Sequence, residues 1–357
     1  MKIAIVLGTR PEIIKMSPII RECQKRDIDF YILHTGQHYS FEMDRVFFED
    51  LKLPVPKYNL DVGSGPHGDQ TGKMLSGIEK ILMEETPDIV LVQGDTNTVL
   101  AGALAASKLH IKVGHVEAGL RSFNRSMPEE TNRVVADHIS DYLFAPTENS
   151  KKYLLNEGIP EEKIFITGNT VVDAVYQNLE IARSRGDVLA KYGLTKENYF
   201  LATVHRAENT DNPERLKNIL GAFEQINLDL GLPIIFPAHP RTVKMIREFG
   251  LGVPEGVKVV QPLGYLDFLQ LEGSAKLILT DSGGLQEEAC ILDVPCVTLR
   301  DNTERPETVD VGANIVAGAD GMVPEIVRKM LETENEWENP YGKGNASELT
   351  IKQIMLS

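Results

Sequence analysis

Short runs of Val, Ile and Leu alternate along the whole chain with longer segments in which apolar residues recur every three or four positions. The short runs have strand length, and the longer ones have the period of amphipathic helices. In the first half the expected strands are Lys2–Leu7, Phe30–His34, Asp88–Gln93, Lys112–Val116, Tyr142–Ala145 and Ile164–Thr167. Pro11–Arg26, Phe41–Leu51, Thr96–Leu109 and Glu129–Ile139 are the helices expected between them. The strand runs are nearly all apolar rather than alternating, which predicts parallel sheets covered on both faces. After Gly168 the pattern restarts, with strands expected at Tyr199–Val204, Pro233–Pro237, Val257–Val260, Leu277–Thr280, Cys296–Leu299 and Asn314–Val316. The division falls within Thr167–Asp173, giving α/β domains over residues 1–169 and 170–339. The last segment, Pro340–Met355, reads as a helix returning to the first domain, and Gly63–Gly72 as an unstructured or lid-like loop. The architecture expected is α/β, two doubly wound Rossmann-like domains facing across a cleft, with ligands at the C-terminal ends of the strands.

Composition changes this picture little and charge changes it more. No stretch approaches the ~20 consecutive apolar residues of a membrane span. The N-terminal run meets Gly8, Arg10 and Pro11 without a small-residue cleavage site, so it reads as a buried strand rather than a signal. Against 37 Lys and Arg stand 52 Asp and Glu, a net charge of −15, which repels nucleic-acid and anionic lipid phosphates. Neither nucleic acid nor membrane is therefore an expected partner, and an anionic ligand has to be captured by helix N-termini and a few placed cations. Cys23, Cys290 and Cys296 are odd in number and form no C-x-x-C pair, which fits small buried side chains in a reducing cytoplasm.

Two glycine patterns mislead. Gly63-Ser-Gly65-Pro-His-Gly68 matches a dinucleotide fingerprint in form, but no β-branched strand precedes it and Pro66 interrupts it. Gly68–Met74 has the wrong spacing for a P-loop and no Ser or Thr after Lys73. Asp27-Ile-Asp29 is the one D-x-D, at the entry of a strand and away from the ligand edge, so no metal is expected.

The chemistry gathers where strands end. Gly8-Thr-Arg10-Pro11-Glu12 follows the first strand, with Lys15 a turn into the next helix, and suits a diphosphate, the plain alternative being a turn with solvated cations. Asp95, after Gln93-Gly94, is either a helix cap or an acid/base group. Glu117, in His115-Val-Glu117, ends the next strand, and two carboxylates on neighbouring strand ends exceed what capping needs. Glu129 and Glu130 open a helix, where acids also suit the dipole, the reading kept for Glu130. In the second half, His205-Arg206-Ala-Glu208 and His239-Pro240-Arg241 end strands in a similar way. Asp281-Ser282-Gly283-Gly284 runs from a strand into a helix start that can hold a diphosphate, with Glu288 placed for a pair of ribose hydroxyls and Arg305 able to join them.

Taken in order, GTRPE (8–12), TGQH (35–38), QGDT (93–96), HVEAGLRS (115–122), PEETNR (128–133), VHRAEN (204–209), PAHPR (237–241), DSGGLQEEA (281–289) and RDNTERPE (300–307) closely resemble the non-hydrolysing UDP-N-acetylglucosamine 2-epimerases. The resemblance runs through both domains and implies the glycosyltransferase-B fold. It implies that Arg10, His205, Ser282, Gly283, Glu288 and Arg305 contact UDP, that Phe268 packs near the uridine, and that Asp95, Glu117, Glu129 and His205 are catalytic. It further implies a second UDP-N-acetylglucosamine as allosteric activator, at Gln37, His38 and Arg206, and a homodimer. With no nicotinamide motif, no cofactor is expected. The route left is loss of UDP from C1 and of the C2 proton, then re-addition from a 2-acetamidoglucal. A glycosyltransferase of the same fold, a silent nucleotide-sugar sensor, and a 2-epimerase of a 2,3-diacetamido uronate or a hydrolysing variant are the competing readings.

Overall fold

A computed structural model describes residues 1–37, 41–319, 321–333 and 335–356, with backbone alone for 41–43. His38 lies outside the described residues. The chain divides into two compact units, one formed by Met1–Gln177 with Tyr341–Ser357 and the other by Asn178–Pro340.

The first unit opens β1 (Lys2–Leu7), α1 (Arg10–Lys25), β2 (Asp29–His34), α2 (Phe41–Asp50) and β3 (Tyr58–Asn59). It continues α3 (His67–Glu85), β4 (Ile89–Gln93), α4 (Asn97–Lys108), β5 (Lys112–Val116) and α5 (Pro128–Ile139). β6 (Tyr142–Ala145), α6 (Glu148–Asn156) and β7 (Ile164–Ile166) follow, and α7 (Thr170–Arg185) spans the division between the units. The seven strands pair in parallel in the order β3-β2-β1-β4-β5-β6-β7. Their residues are apolar on both faces because helices cover both, and Ile3 to Leu7 of β1 are each fully buried.

The second unit runs α8 (Val188–Tyr192), β8 (Phe200–Thr203), α9 (Ala207–Thr210), α10 (Pro213–Leu230), β9 (Ile234–Pro237) and α11 (Pro240–Glu248). β10 (Val257–Val260), α12 (Tyr265–Glu272), β11 (Leu277–Thr280), α13 (Gly283–Ile291) and β12 (Cys296–Thr298) come next. It ends with α14 (Pro306–Asp310), β13 (Asn314–Val316) and α15 (Val323–Glu332). Its sheet is again parallel, in the order β10-β9-β8-β11-β12-β13. α16 (Ala346–Met355) packs on α1, and the Asp173 carboxylate accepts from the Ala346 and Ser347 N–H groups at 3.1 and 2.9 Å, capping its first turn.

The segment expected to be a loop is corrected. Only its first residues form one, since α3 begins at His67 and carries Gly68 and Gly72 on its exposed side. Gln70, Met74, Ile78, Ile81 and Leu82 bury a stripe at helical spacing, and that burial outweighs the low helix propensity of two exposed glycines. Among the described residues no helix is long and apolar enough to cross a membrane.

Candidate functional site

In each sheet the strand order reverses between its first and fourth strands in chain order, β1 and β4 in one and β8 and β11 in the other. Crossovers leave such a switch point on opposite sides, which opens a crevice beyond the carboxyl ends of those strands. Both crevices carry the polar clusters read from the sequence.

In the first unit, Gly8 turns the chain out of β1 so tightly that a Cβ there would lie 2.0 Å from Thr35 Oγ1 and 2.4 Å from Thr98 Oγ1. The Glu12 carboxyl, fully buried in the first turn of α1, accepts from Gly8 N–H (2.9 Å), Thr9 hydroxyl (2.8 Å) and Thr96 hydroxyl (2.7 Å). It therefore ties the turn after β1 to the turn after β4. Thr96, not Asp95, caps α4 by accepting from Val99 N–H. The Asp95 carboxylate is left to bond the Arg133 guanidinium, while Asn132 Nδ2 donates to the Asp95 carbonyl at 2.9 Å.

Burial raises the Glu12 carboxyl to about 7, against which its three donors act only partly. Between about 4.5 and about 7 the folded chain keeps a proton on Glu12 that the unfolded chain releases, so stability falls as pH rises through that window. Glu12→Gln preserves shape and an acceptor but does not titrate. Relative to it, the wild type is expected to lose up to about 3 kcal/mol from pH 4.5 to 7.5, at ~1.4 kcal/mol per pKa unit. Urea denaturation of both proteins across that range measures this, and parallel curves would remove the titration from Glu12.

Glu117 follows β5 and adopts φ +67°, a left-handed conformation that costs a non-glycine side chain about 1 kcal/mol or more. The turn holds it there with its carboxylate 2.7 Å from Lys15 Nζ and 2.7 Å from Gln93 Nε2. Lys15, expected on a diphosphate, is thus the ion-pair partner of the second candidate carboxylate. Beneath these strand ends His115 places Nδ1 2.7 Å from Asp137 and Nε2 2.8 Å from the Gly94 carbonyl. Both neighbours accept, so the ring must donate from both nitrogens as an imidazolium. Burial opposes that charge, but Asp137 and the carbonyl outweigh it and raise the His115 pKa. Arg121 shares Asp137 at 2.7 Å, so the floor under Gly94-Asp95 is a buried ionic network.

The remaining candidates of this unit differ in enclosure. Arg10 lies 3.3 Å from the buried Asp44 carboxylate, with its guanidinium 4.9 Å from the Phe47 ring centre. Glu129 is half-buried in the first turn of α5. Glu130, assigned to the helix dipole, also accepts from Ser122 N–H (2.9 Å), Phe123 N–H (3.0 Å) and Arg133 (3.1 Å), closing the preceding loop. Gln37 is buried, its side-chain oxygen accepting from the Thr98 N–H at 3.2 Å and the Thr98 hydroxyl at 2.9 Å.

In the second unit the ends of β8 and β11 meet at Asp281. Its carboxylate accepts from the backbone N–H of His205 (3.0 Å) and Arg206 (2.9 Å) and from Asn209 Nδ2 (3.1 Å). It also lies 2.8 Å from His205 Nδ1. Burial opposes its ionisation, yet His205 and these donors hold the carboxyl below the usual Asp range. His205 is 43 % exposed, and with Nδ1 engaged its Nε2 is the ring nitrogen available for a further contact. Ser282 stands at the N-cap position of α13 without a side-chain cap bond, Gly283 is buried, and Gly284 is exposed at the helix N-terminus, where N–H groups suit an anion. A Cβ on Gly283 would lie 3.4 Å from the Glu304 carboxylate, itself held by Arg300 at 3.1 Å and by Arg206 at 3.9 Å.

Phe268 packs from α12 against the cluster around Tyr199 and Ile278, and Glu288 lies half-buried on α13, one turn past Gly284. Arg305 pairs with the buried Glu287 at 2.8 Å. His239 proves to be a helix cap: its Nδ1 accepts from Arg241 N–H at 3.2 Å, and Arg241 pairs with Asp211. Sequence reasoning quoted Glu12, Arg133 and Asp281 inside motifs without giving them a task. For Asp281 the signal was present, an acid at the end of the strand that pairs with the one ending at His205.

The model of the UDP-N-acetylglucosamine 2-epimerase family matches residues 21–355. A UDP-N-acetylglucosamine 2-epimerase of Methanocaldococcus jannaschii is 60 % identical over 360 residues, spanning 99 % of this chain and 98 % of that relative. The crystal structure of the M. jannaschii UDP-GlcNAc 2-epimerase in complex with UDP-GlcNAc and UDP covers all of both chains at 59 % identity, with a TM-score of 0.87. A UDP-2,3-diacetamido-2,3-dideoxy-D-glucuronate 2-epimerase of Pseudomonas aeruginosa is 44 % identical, covering 97 % of each chain. At 14 % identity and a TM-score of 0.59, the Streptomyces nogalater glycosyltransferase SnogD shares the fold, with 100 % of this chain and 99 % of that one covered. Two parallel α/β units, polar clusters at both switch points and a match over nearly the whole length converge: the chain belongs to the UDP-N-acetylglucosamine 2-epimerase family.

Proposed function

We propose that the protein interconverts UDP-N-acetylglucosamine and UDP-N-acetylmannosamine by inverting C2. The observation that carries the reading is the pair of carboxylates, Asp95 and Glu117, at the ends of adjacent strands in one unit, alongside a nucleotide-type helix start at Ser282-Gly283-Gly284 in the other.

The C2–H bond is not next to a carbonyl and is too weakly acidic for simple deprotonation. Breaking the C1–O bond makes it labile: the bonding pair leaves with UDP, the C2 proton goes to a base, and a C1=C2 bond forms, giving 2-acetamidoglucal. Return of a proton to the opposite face of C2 and of UDP oxygen to C1 completes the inversion without net redox change. In this scheme Asp95, Glu117 and Glu129 share the proton transfers. His205 Nε2, the N–H groups at the start of α13, Arg10 and Arg305 stabilise the departing diphosphate. Phe268 packs on the uracil and Glu288 takes the ribose hydroxyls. The Lys15 ammonium, 2.7 Å from the Glu117 carboxylate, is the cation that orients this group.

Incubation with UDP-N-acetylglucosamine alone in deuterated water tests the reading. The expected product is UDP-N-acetylmannosamine carrying deuterium at C2. A transferase without acceptor, or a silent sensor, incorporates none. Running the 2,3-diacetamido uronate beside it separates the two substrates, and faster turnover of the uronate would overturn the assignment of the sugar while keeping the chemistry.

A further inference from the structure

Beneath Glu288 lies another carboxyl that the chemistry above does not use. Glu272 ends α12, is fully buried, and among the described residues no N–H or O–H donor reaches either of its oxygens. Its hydrogen-bonding neighbour is itself an acid, Glu288. Two ionised carboxylates in that contact repel strongly in a low-dielectric interior, whereas one shared proton turns the pair into a charge-assisted O–H···O⁻ bond. Burial first, and then the charge of Glu288, push the Glu272 carboxyl well above the usual Glu range. Tyr199 and Cys296, the titratable groups of β12 and of the residue before β8 that feel Glu272, are both kept neutral by their own burial.

The placement matches the order of a nucleotide. Phe268 and Glu272 are one turn apart on α12, and Gly284 and Glu288 one turn apart on α13. A ligand with its uracil at Phe268 and its diphosphate at Ser282–Gly284 brings its ribose to Glu288. We propose that Glu272 is a positioning residue, whose carboxyl donates to Glu288 and fixes that carboxylate to receive the two ribose hydroxyls. Preference for ribose over deoxyribose then depends on a residue that does not touch the ligand. The proposal rests on the reading of Glu288 as the ribose contact.

Titration calorimetry of the whole chain with UDP and with 2′-deoxy-UDP tests it. Wild type is expected to prefer UDP. Glu272→Met keeps the volume and removes the donor. It should weaken UDP about tenfold, the size of one hydrogen bond to a charged group, and 2′-deoxy-UDP much less. Glu272→Gln, whose amide N–H donates as the protonated carboxyl does, should keep the wild-type ratio, which a purely space-filling role has no reason to separate from Met. If Glu288→Ala leaves the ratio unchanged, the ribose reading of Glu288 fails. If Glu288→Ala collapses the ratio and Glu272→Met does not, the role of Glu272 alone is overturned. Should the Met variant not fold, infrared spectra of wild type and Glu272→Gln at pH 8 decide the matter. The wild type should show the C=O stretch of a protonated carboxylic acid that the Gln variant lacks, and its absence would overturn the proposal.

Discussion

Asp95→Asn and Glu117→Gln are each expected to lower turnover of UDP-N-acetylglucosamine by ~10²–10⁴-fold, the usual contribution of a positioned acid or base. UDP affinity should stay within about threefold of wild type, because the nucleotide grip, Arg10 apart, belongs to residues of the other unit and Arg10 is untouched by either change. The two variants differ in their structural cost. Asp95 is 29 % exposed and its partner Arg133 keeps Glu130 at 3.1 Å, so Asp95→Asn should melt near the wild type. Glu117 is an ion-pair partner of Lys15, whose side chain is only 17 % exposed, so Glu117→Gln removes the charge facing a half-buried ammonium and costs about 1–3 kcal/mol. Lys15→Met in the Glu117→Gln background should recover stability without recovering turnover. Steady-state rates, calorimetric UDP binding and melting temperatures separate these effects. Full turnover in both single variants would remove the carboxylates from the mechanism.

Asp281→Asn is the second large effect. An Asn can accept through one oxygen, but its amide N–H₂ then faces donors that the carboxylate accepted: His205 N–H, Arg206 N–H, Asn209 Nδ2 and His205 Nδ1. Each buried donor left unpaired costs about 1–3 kcal/mol, so a clear fall in melting temperature is expected. The chemical effect is distinct from that fall. Without a carboxylate on Nδ1, the His205 ring is free to turn and its doubly protonated form, the one whose Nε2–H can donate to the leaving diphosphate while Nδ1–H is held, loses its counter-charge. A loss of roughly 10²-fold in turnover is expected, smaller than the ~10⁴ of the related change in a serine-protease triad because His205 is one of several groups on the diphosphate. Asn209→Ala removes only one of the four donors, and its turnover at a temperature where it is folded should be near wild type. An Asp281→Asn protein that is folded and fully active would show that His205 needs no orienting carboxylate.

Much of the fold is legible along the chain for a simple reason. Strands buried on both faces are nearly all apolar, so β1, β5, β6 and β11 occupy the residues expected for them, and the more exposed β10 and β13 match as well. Turn residues are as plain, since Gly8 has space for no side chain and Pro11 lies in the first turn of α1, where a missing N–H costs nothing. The start of α3 was not legible. Gly63, Gly65, Pro66, Gly68 and Gly72 argue locally for a loop, and only the burial of Gln70, Met74 and Ile78 makes a helix the better choice.

What the sequence determines by itself is which kinds of group stand at which strand ends, because that depends only on residue type and on the period of burial. The motifs therefore place Asp95, Glu117, His205 and Ser282 beyond the carboxyl ends of parallel strands with no coordinates at all. Partnership is decided by tertiary structure alone. Lys15 and Glu117 are 102 residues apart and His205 and Asp281 are 76 apart, and nothing local records that they meet. The same holds for charge state. Glu12, Glu117 and Glu272 are one residue type, yet one carries three donors, one an ammonium and one another acid, and the field at a buried carboxyl is set by what the fold packs against it.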